Sequence, residues 1–177
     1  MITFTSLGGN ALRLDHGTGA LLVFADEEKP QDETLIMRST PEESPTKGIL
    51  SWPGEYDFDG VAIMGIGHEE GRLISYVVSV NGVRCAFLCS PLQEWADHEL
   101  ELLGDVDVLC IPSDDPKILQ KLVDEIDPRV LIPLKTGGDE KYTEALKICG
   151  AIGVEQVSEY ILKGALPAEG REVVVLQ

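Results

Sequence analysis

The chain has 177 residues, 44% of them apolar, which suits a single domain spanning 1–177 with a full core and argues against disorder. Its 31 acidic against 14 basic residues leave a formal net charge of −17. Such a surface repels phosphate backbones and anionic headgroups, so neither nucleic acid nor a membrane is an expected partner.

In chain order, residues 2–7, 10–15 and 20–25 alternate or run apolar between Gly8-Gly9 and His16-Gly17-Thr18-Gly19. They predict a meander of short strands. The start, Met1-Ile2-Thr3-Phe4-Thr5, has no basic segment ahead of an apolar run, so it reads as a first strand and the expected location is the cytoplasm. Asp26 to Thr34 reads as a polar loop, Leu35-Ile36-Met37 as a brief buried strand, and Arg38 to Lys47, with Pro41 and Pro45, as another loop. Strands fit 48–51, 55–58, 60–66, 72–80 and 83–89, with Asn81-Gly82 a strong hairpin turn because both positions tolerate positive φ.

The pattern then changes. Glu94 to Leu103 has apolar residues at helical spacing, stopped by Gly104. Asp107 to Pro112 and Arg129 to Leu134 are continuous apolar runs of the buried-strand type. Between them Asp114 and Asp115 can cap a helix from Pro116 to Ile126. A third helix fits Asp139 to Cys149, closed by Gly150, and strands at 153–157, 159–163 and 172–176 finish the chain. Many strands followed by strand–helix units predict two sheets packed face to face with helices outside. Cys85, Cys89, Cys110 and Cys149 form no CxxC pair and read as buried reduced thiols.

The order and spacing of these pieces carry a resemblance. They are Ile2 to Leu7 with Gly8-Gly9, Trp52-Pro53-Gly54-Glu55-Tyr56 through Gly60 to Ile66, the hairpin at Asn81-Gly82-Val83-Arg84, and Gly104-Asp105-Val106-Asp107 to Pro112 followed by Pro128 to Pro133. Over most of its length the chain resembles the compact, single-domain branch of the metallo-beta-lactamase superfamily. The resemblance implies a mixed α/β (α+β) fold, a four-layer αββα sandwich, with a metal site on loops at one edge.

Active members of that family cluster imidazoles and carboxylates, because together they polarise a metal-bound water. Their His-x-His-x-Asp-His run follows a short buried strand, where this chain has Arg38-Ser39-Thr40-Pro41-Glu42-Glu43-Ser44. Cys89-Ser90 stands near the family's bridging aspartate, and Lys135 stands where the last histidine follows the Ile-Pro strand end. The resemblance therefore implies a degenerate member without the metal-ligand motif.

His68 lies near a further family metal histidine and is the one candidate ligand; the plainer reading is a loop histidine on an acidic surface. His16 and His98 read as solvated. Ser90 and Lys135 are candidate catalytic residues, a lysine beside a serine being able to serve as base in acyl transfer, against a Lys135 that fills the vacated site with its own charge or reaches solvent. Asp57, Asp59, Asp114 and Asp115 read as turn and cap residues ahead of a cation site. Trp52 and Trp95 read as packing between sheet and helix. The leading expectation is a non-catalytic binding or interaction module without cofactor, acting on an unidentified protein or small-molecule partner and able to form a homo-oligomer. The alternative is a hydrolase with an altered site, taking an ester, lactone or phosphodiester, with zinc as its cofactor.

Overall fold

The computed structural model of the chain describes residues 1–26, 28–164 and 166–177. The first sheet is built from β1 (Ile2–Gly8), β2 (Ala11–Asp15), β3 (Ala20–Val23), β4 (Thr34–Met37) and β5 (Ile49–Leu50). Period-two burial along β1 and β2 puts Ile2, Phe4, Leu12 and Leu14 on one face, as alternation demands. The second sheet begins with β6 (Gly54–Phe58), β7 (Val61–His68), β8 (Leu73–Val80) and β9 (Val83–Phe87), joined as successive hairpins.

After β9 the chain alternates helix and strand: α1 (Asp97–Leu103), β10 (Val108–Pro112), α2 (Pro116–Ile126), β11 (Val130–Leu134) and α3 (Asp139–Ile148). The strands β12 (Gln156–Val157), β13 (Glu159–Leu162), β14 (Glu172–Val173) and β15 (Val175–Leu176) complete it. The first sheet has the order β13-β1-β2-β3-β4-β5, the second β14-β11-β10-β9-β8-β7-β6, and β12 pairs β15 separately. Strands β9, β10, β11 and β14 run parallel, and β10 and β11 are buried on both faces, which is why their sequences lack alternation.

The main core fills the space between the sheets and includes Phe4, Leu14, Met37, Tyr76, Phe87, Cys110 and Ile132. A second core, including Ile66, Val77, Trp95, Leu109, Leu119, Leu122 and Ala145, joins the outer face of the second sheet to all three helices. The mixed α/β sandwich is thus as expected. Of the four expected layers, three are built by regular elements: the outer face of the first sheet carries only Leu22, Ala25 and Ile36 with Ala11 and Ile49, and among the described residues no helix lies over it.

Several boundaries differ from the sequence reading. The first helix starts after Ala96, not at Glu94, because Ala96 has extended dihedrals and the Glu99 carboxylate accepts its backbone N–H at 2.7 Å. The predicted strand 172–176 divides between two sheets at Val174. Strand β7 runs on to His68, which is therefore not a loop residue.

Candidate functional site

The segment following β4, where the family ligands would stand, is fastened to its surroundings by its own groups. The Arg38 backbone N–H donates to the Leu50 carbonyl at 2.9 Å, and the Ile74 N–H donates to the Ser39 carbonyl at 2.8 Å. The buried Tyr76 hydroxyl donates to the Arg38 carbonyl at 2.6 Å, with that of Leu50 3.1 Å away. Burial pushes that phenol's pKa up, so it stays a donor. Arg38 Nη1 meets Glu42 Oε1 at 2.9 Å, and the Glu42 N–H donates to Ser51 Oγ at 3.1 Å. The loop carries one internal ion pair where a metal site needs several convergent lone pairs.

His68 is buried, 4% exposed, where a solvated loop histidine was the plainer expectation. Its ring lies edge-on to Trp95, with centroids 4.6 Å apart. Both ring nitrogens have protein partners: Nδ1 lies 3.1 Å from Glu99 Oε1, and Nε2 lies 3.0 Å from Ser75 Oγ. The Glu99 carboxylate can only accept, so Nδ1 carries the proton and Nε2 of the neutral ring accepts from the Ser75 hydroxyl, whose oxygen also accepts the Cys89 N–H at 3.0 Å. Desolvation lowers the His68 pKa and outweighs the opposing pull of Glu99. The ring is therefore neutral, and the contact with Glu99 is a hydrogen bond more than an ion pair.

Ser90 and Lys135 are each engaged separately. Ser90 Oγ donates to Asp114 Oδ2 at 2.5 Å, and Asp114 Oδ1 accepts the Leu92 N–H at 2.8 Å. Asp114 was expected to cap the following helix; Asp115 does so alone, accepting the N–H groups of Lys117 and Ile118 at 3.1 Å. Lys135 Nζ pairs with Asp139 at 2.6 Å, with 59% of its side chain exposed. Asp139 raises the lysine's pKa, the direction opposite to what a general base requires. Lys135 also lines a cavity of about 240 Å³ with Ser6, Gly8, Gly9 and Tyr142, and neither Ser90 nor His68 is among its walls.

The remaining candidates fall in place without chemistry. Asp57 accepts the Gly60 N–H at 3.2 Å as a turn residue. His98 is exposed, as expected, but His16 is buried at 7% exposure, its Nε2 without a partner. Trp95 packs under the helices, whereas Trp52 is 45% exposed on its turn and does not fill the sheet–helix space expected of it. All four cysteines are free and buried, and burial raises their pKa values, to about 11 for Cys89 and Cys149. They remain protonated thiols, poor ligands and poor nucleophiles. Among the described residues no three His, Cys, Asp or Glu side chains converge as a metal site. The donor set does not fit the mono- or dinuclear centre that the fold implies.

Sequence reasoning missed Glu99 and Ser75, and read Asp114 as a helix cap where it holds Ser90. Each acts across 7 to 31 residues of sequence separation, on partners that only the folded sheets bring near.

No family profile matches the chain. Elongation factor 4 of Acetivibrio thermocellus is 22% identical over 144 residues, covering 81% of this chain, while the chain spans only 22% of that protein's length. Among solved structures, a candidate Zn-dependent hydrolase of the metallo-beta-lactamase superfamily from Thermotoga maritima superimposes with a TM-score of 0.75 at 19% identity, covering 99% of this chain and 98% of that one. The metallo-beta-lactamase fold protein YhfI from Bacillus subtilis gives a TM-score of 0.60 at 8% identity, covering 99% and 96%. The chain has the metallo-beta-lactamase fold.

Proposed function

We propose that this chain is a non-catalytic user of the metallo-beta-lactamase fold, a binding or interaction module for a protein or small-molecule partner. One observation carries the reading: the groups at the positions of the family's site are bonded to one another within the protein. His68 is held at both nitrogens, Ser90 by Asp114, Lys135 by Asp139 and Arg38 by Glu42. A ligand would have to break these bonds to use any of those side chains, and at His68 it would leave the buried Ser75 hydroxyl without its partner. No helix among the described residues is long and apolar enough to cross a membrane, and the acidic surface favours partners other than nucleic acid.

Metal content by inductively coupled plasma mass spectrometry tests the reading. Protein made in medium supplemented with zinc, manganese and iron is expected to carry far less than one equivalent. One tightly bound equivalent overturns it. The second reading, a zinc-dependent hydrolase of an ester, lactone or phosphodiester with an altered site, draws on the description of the Thermotoga maritima neighbour and on the cavity that Lys135 shares with Tyr142. It requires that Lys135→Ala or His68→Ala abolish a measured turnover.

A further inference from the structure

Among the described residues no strand pairs with the outer edge of β6. β6 is the last strand of its sheet, and Glu55, Tyr56 and Asp57 are exposed along it. The hairpin to β7 turns through Asp59 and Gly60, both at positive φ, and closes on the pair Phe58–Val61. In such a two-residue hairpin the closing pair exchanges both backbone hydrogen bonds, and every second pair beyond it does the same. Gly54, Tyr56 and Phe58 therefore bond inward to β7. Glu55 and Asp57 direct their N–H and C=O groups outward, away from the sheet.

The same two residues supply the charge. Opposite Met64 and Ala62 in register, Glu55 and Asp57 stand on the helix-side face of the sheet. There they rim a hollow of about 420 Å³ whose floor is Ala62, Met64 and Val77. Ala62 is exposed there and Met64 half-buried, with Val77 buried beneath them. Arg84 closes its far side, with its guanidinium donating to the carbonyls of Leu102 and Leu103 and to Ser79 Oγ.

We infer that the β6 edge docks an extended cationic segment of a partner protein, with Lys or Arg at alternate positions opposite Glu55 and Asp57. Residues paired across a sheet favour opposite charge, and the aliphatic stems of Lys and Arg can cover the apolar floor while their heads reach the carboxylates. A second copy of this chain fits poorly. Pairing β6 with itself sets Glu55 and Asp57 against the same carboxylates, in a molecule of net charge −17. The inference rests on the interaction-module reading. That reading falls on metal content and this one on amide exchange, so their failures are distinguishable.

The test uses the full chain with a labelled peptide of alternating Lys and Val, and an alternating Glu and Val peptide as control. Binding of the Lys peptide by fluorescence anisotropy is expected, with hydrogen exchange slowed at the amides of Glu55 and Asp57 and unchanged at Tyr56. Neutralising the rim with Glu55→Gln and Asp57→Asn, which keeps the Asp57 turn acceptor, is expected to weaken binding about fivefold. Glu55→Pro removes one outward donor without touching a β6–β7 bond, and is expected to abolish binding. The proposal is overturned by no binding, by binding that leaves both amides exchanging as before, or by equal binding of the Glu peptide. It is also overturned if those amides become protected in the chain alone as its concentration rises, which would make the occupant a second copy.

Discussion

His68 links α1 to the second sheet, and its chemistry is that of a structural hub. The chain of donors runs from the Cys89 N–H to Ser75, from Ser75 to the ring, and from the ring to Glu99, whose second oxygen holds the Ala96 N–H. Replacing His68 by Ala leaves Ser75 and Glu99 without their partner and a cavity beside Trp95. A loss of about 2–4 kcal/mol is expected, read by urea denaturation. The ring's folded pKa lies below its ordinary 6.5 because burial disfavours the cation. The neutral ring therefore contributes stability that is fully present above about 6.5 and is lost as pH falls from there through the lowered folded value. His68→Gln, which cannot titrate, is expected to flatten that part of the stability–pH curve; an unchanged slope would show that folding does not lower the ring's pKa. Lys135 differs in kind: it is exposed and paired only with an exposed Asp139. Lys135→Ala is expected to leave the midpoint of the same denaturation experiment unchanged.

At the level of elements, the Trp52-Pro53 turn lies flat on β7 because two glycines let it. A Cβ at Gly65 would come 2.8 Å from the Trp52 carbonyl oxygen, and one at Gly67 would come 2.9 Å from Pro53 Cγ. Gly65→Ala sets side chain against backbone, with no flexible atom to yield. It is expected to cost about 2 kcal/mol and to shift the amide resonances of both Trp52 and Gly65. This stretch was the most legible in the sequence, since Trp-Pro-Gly and Asp-Gly mark turns by fixed local chemistry and Val61 to Ile66 is a short apolar run between turns. The parallel strands β10 and β11 were legible for the same local reason, as uniform apolar runs on either side of the Asp115-capped α2. The candidate site was legible only in its departures: Arg38 to Ser44 without histidine, Ser90, Lys135. What fills the place of the family's site was not readable, because Glu99 reaching His68 and Asp114 reaching Ser90 are decided by how β7, β8, β10 and α1 come together, and no periodicity encodes such a meeting. The burial of His16 and the exposure of Trp52 escaped for the same cause: each is set by packing around a turn.

For the molecule as a whole, the net charge of −17 is an internal pressure on the folded state. Few attractive pairs offset it. Arg13–Asp15, Lys121–Glu94 and Lys135–Asp139 are largely exposed, and pairs of that kind contribute little. Salt acts on both classes, but unequally: raising ionic strength from about 0.01 M to 1 M shortens the reach of an exposed charge from about 30 Å to about 3 Å. That removes repulsion summed over many separated carboxylates, while close pairs with little to lose are weakened slightly. The folded state, which crowds the charge more than the unfolded chain does, gains the difference. Thermal midpoints are therefore expected to rise with added potassium chloride, each 1 kcal/mol of relief corresponding to about 2–4 °C in a domain of this size. Chloride is the right salt, because sulfate would also strengthen apolar burial and raise the midpoint on its own. Calorimetric scans across that range decide the matter: a midpoint that falls with salt would mean that attraction within the folded surface outweighs its repulsion. In that case the charges would be arranged as paired networks across the surface, and the acidic rim at β6 would be screened by neighbours and not open to a cationic partner.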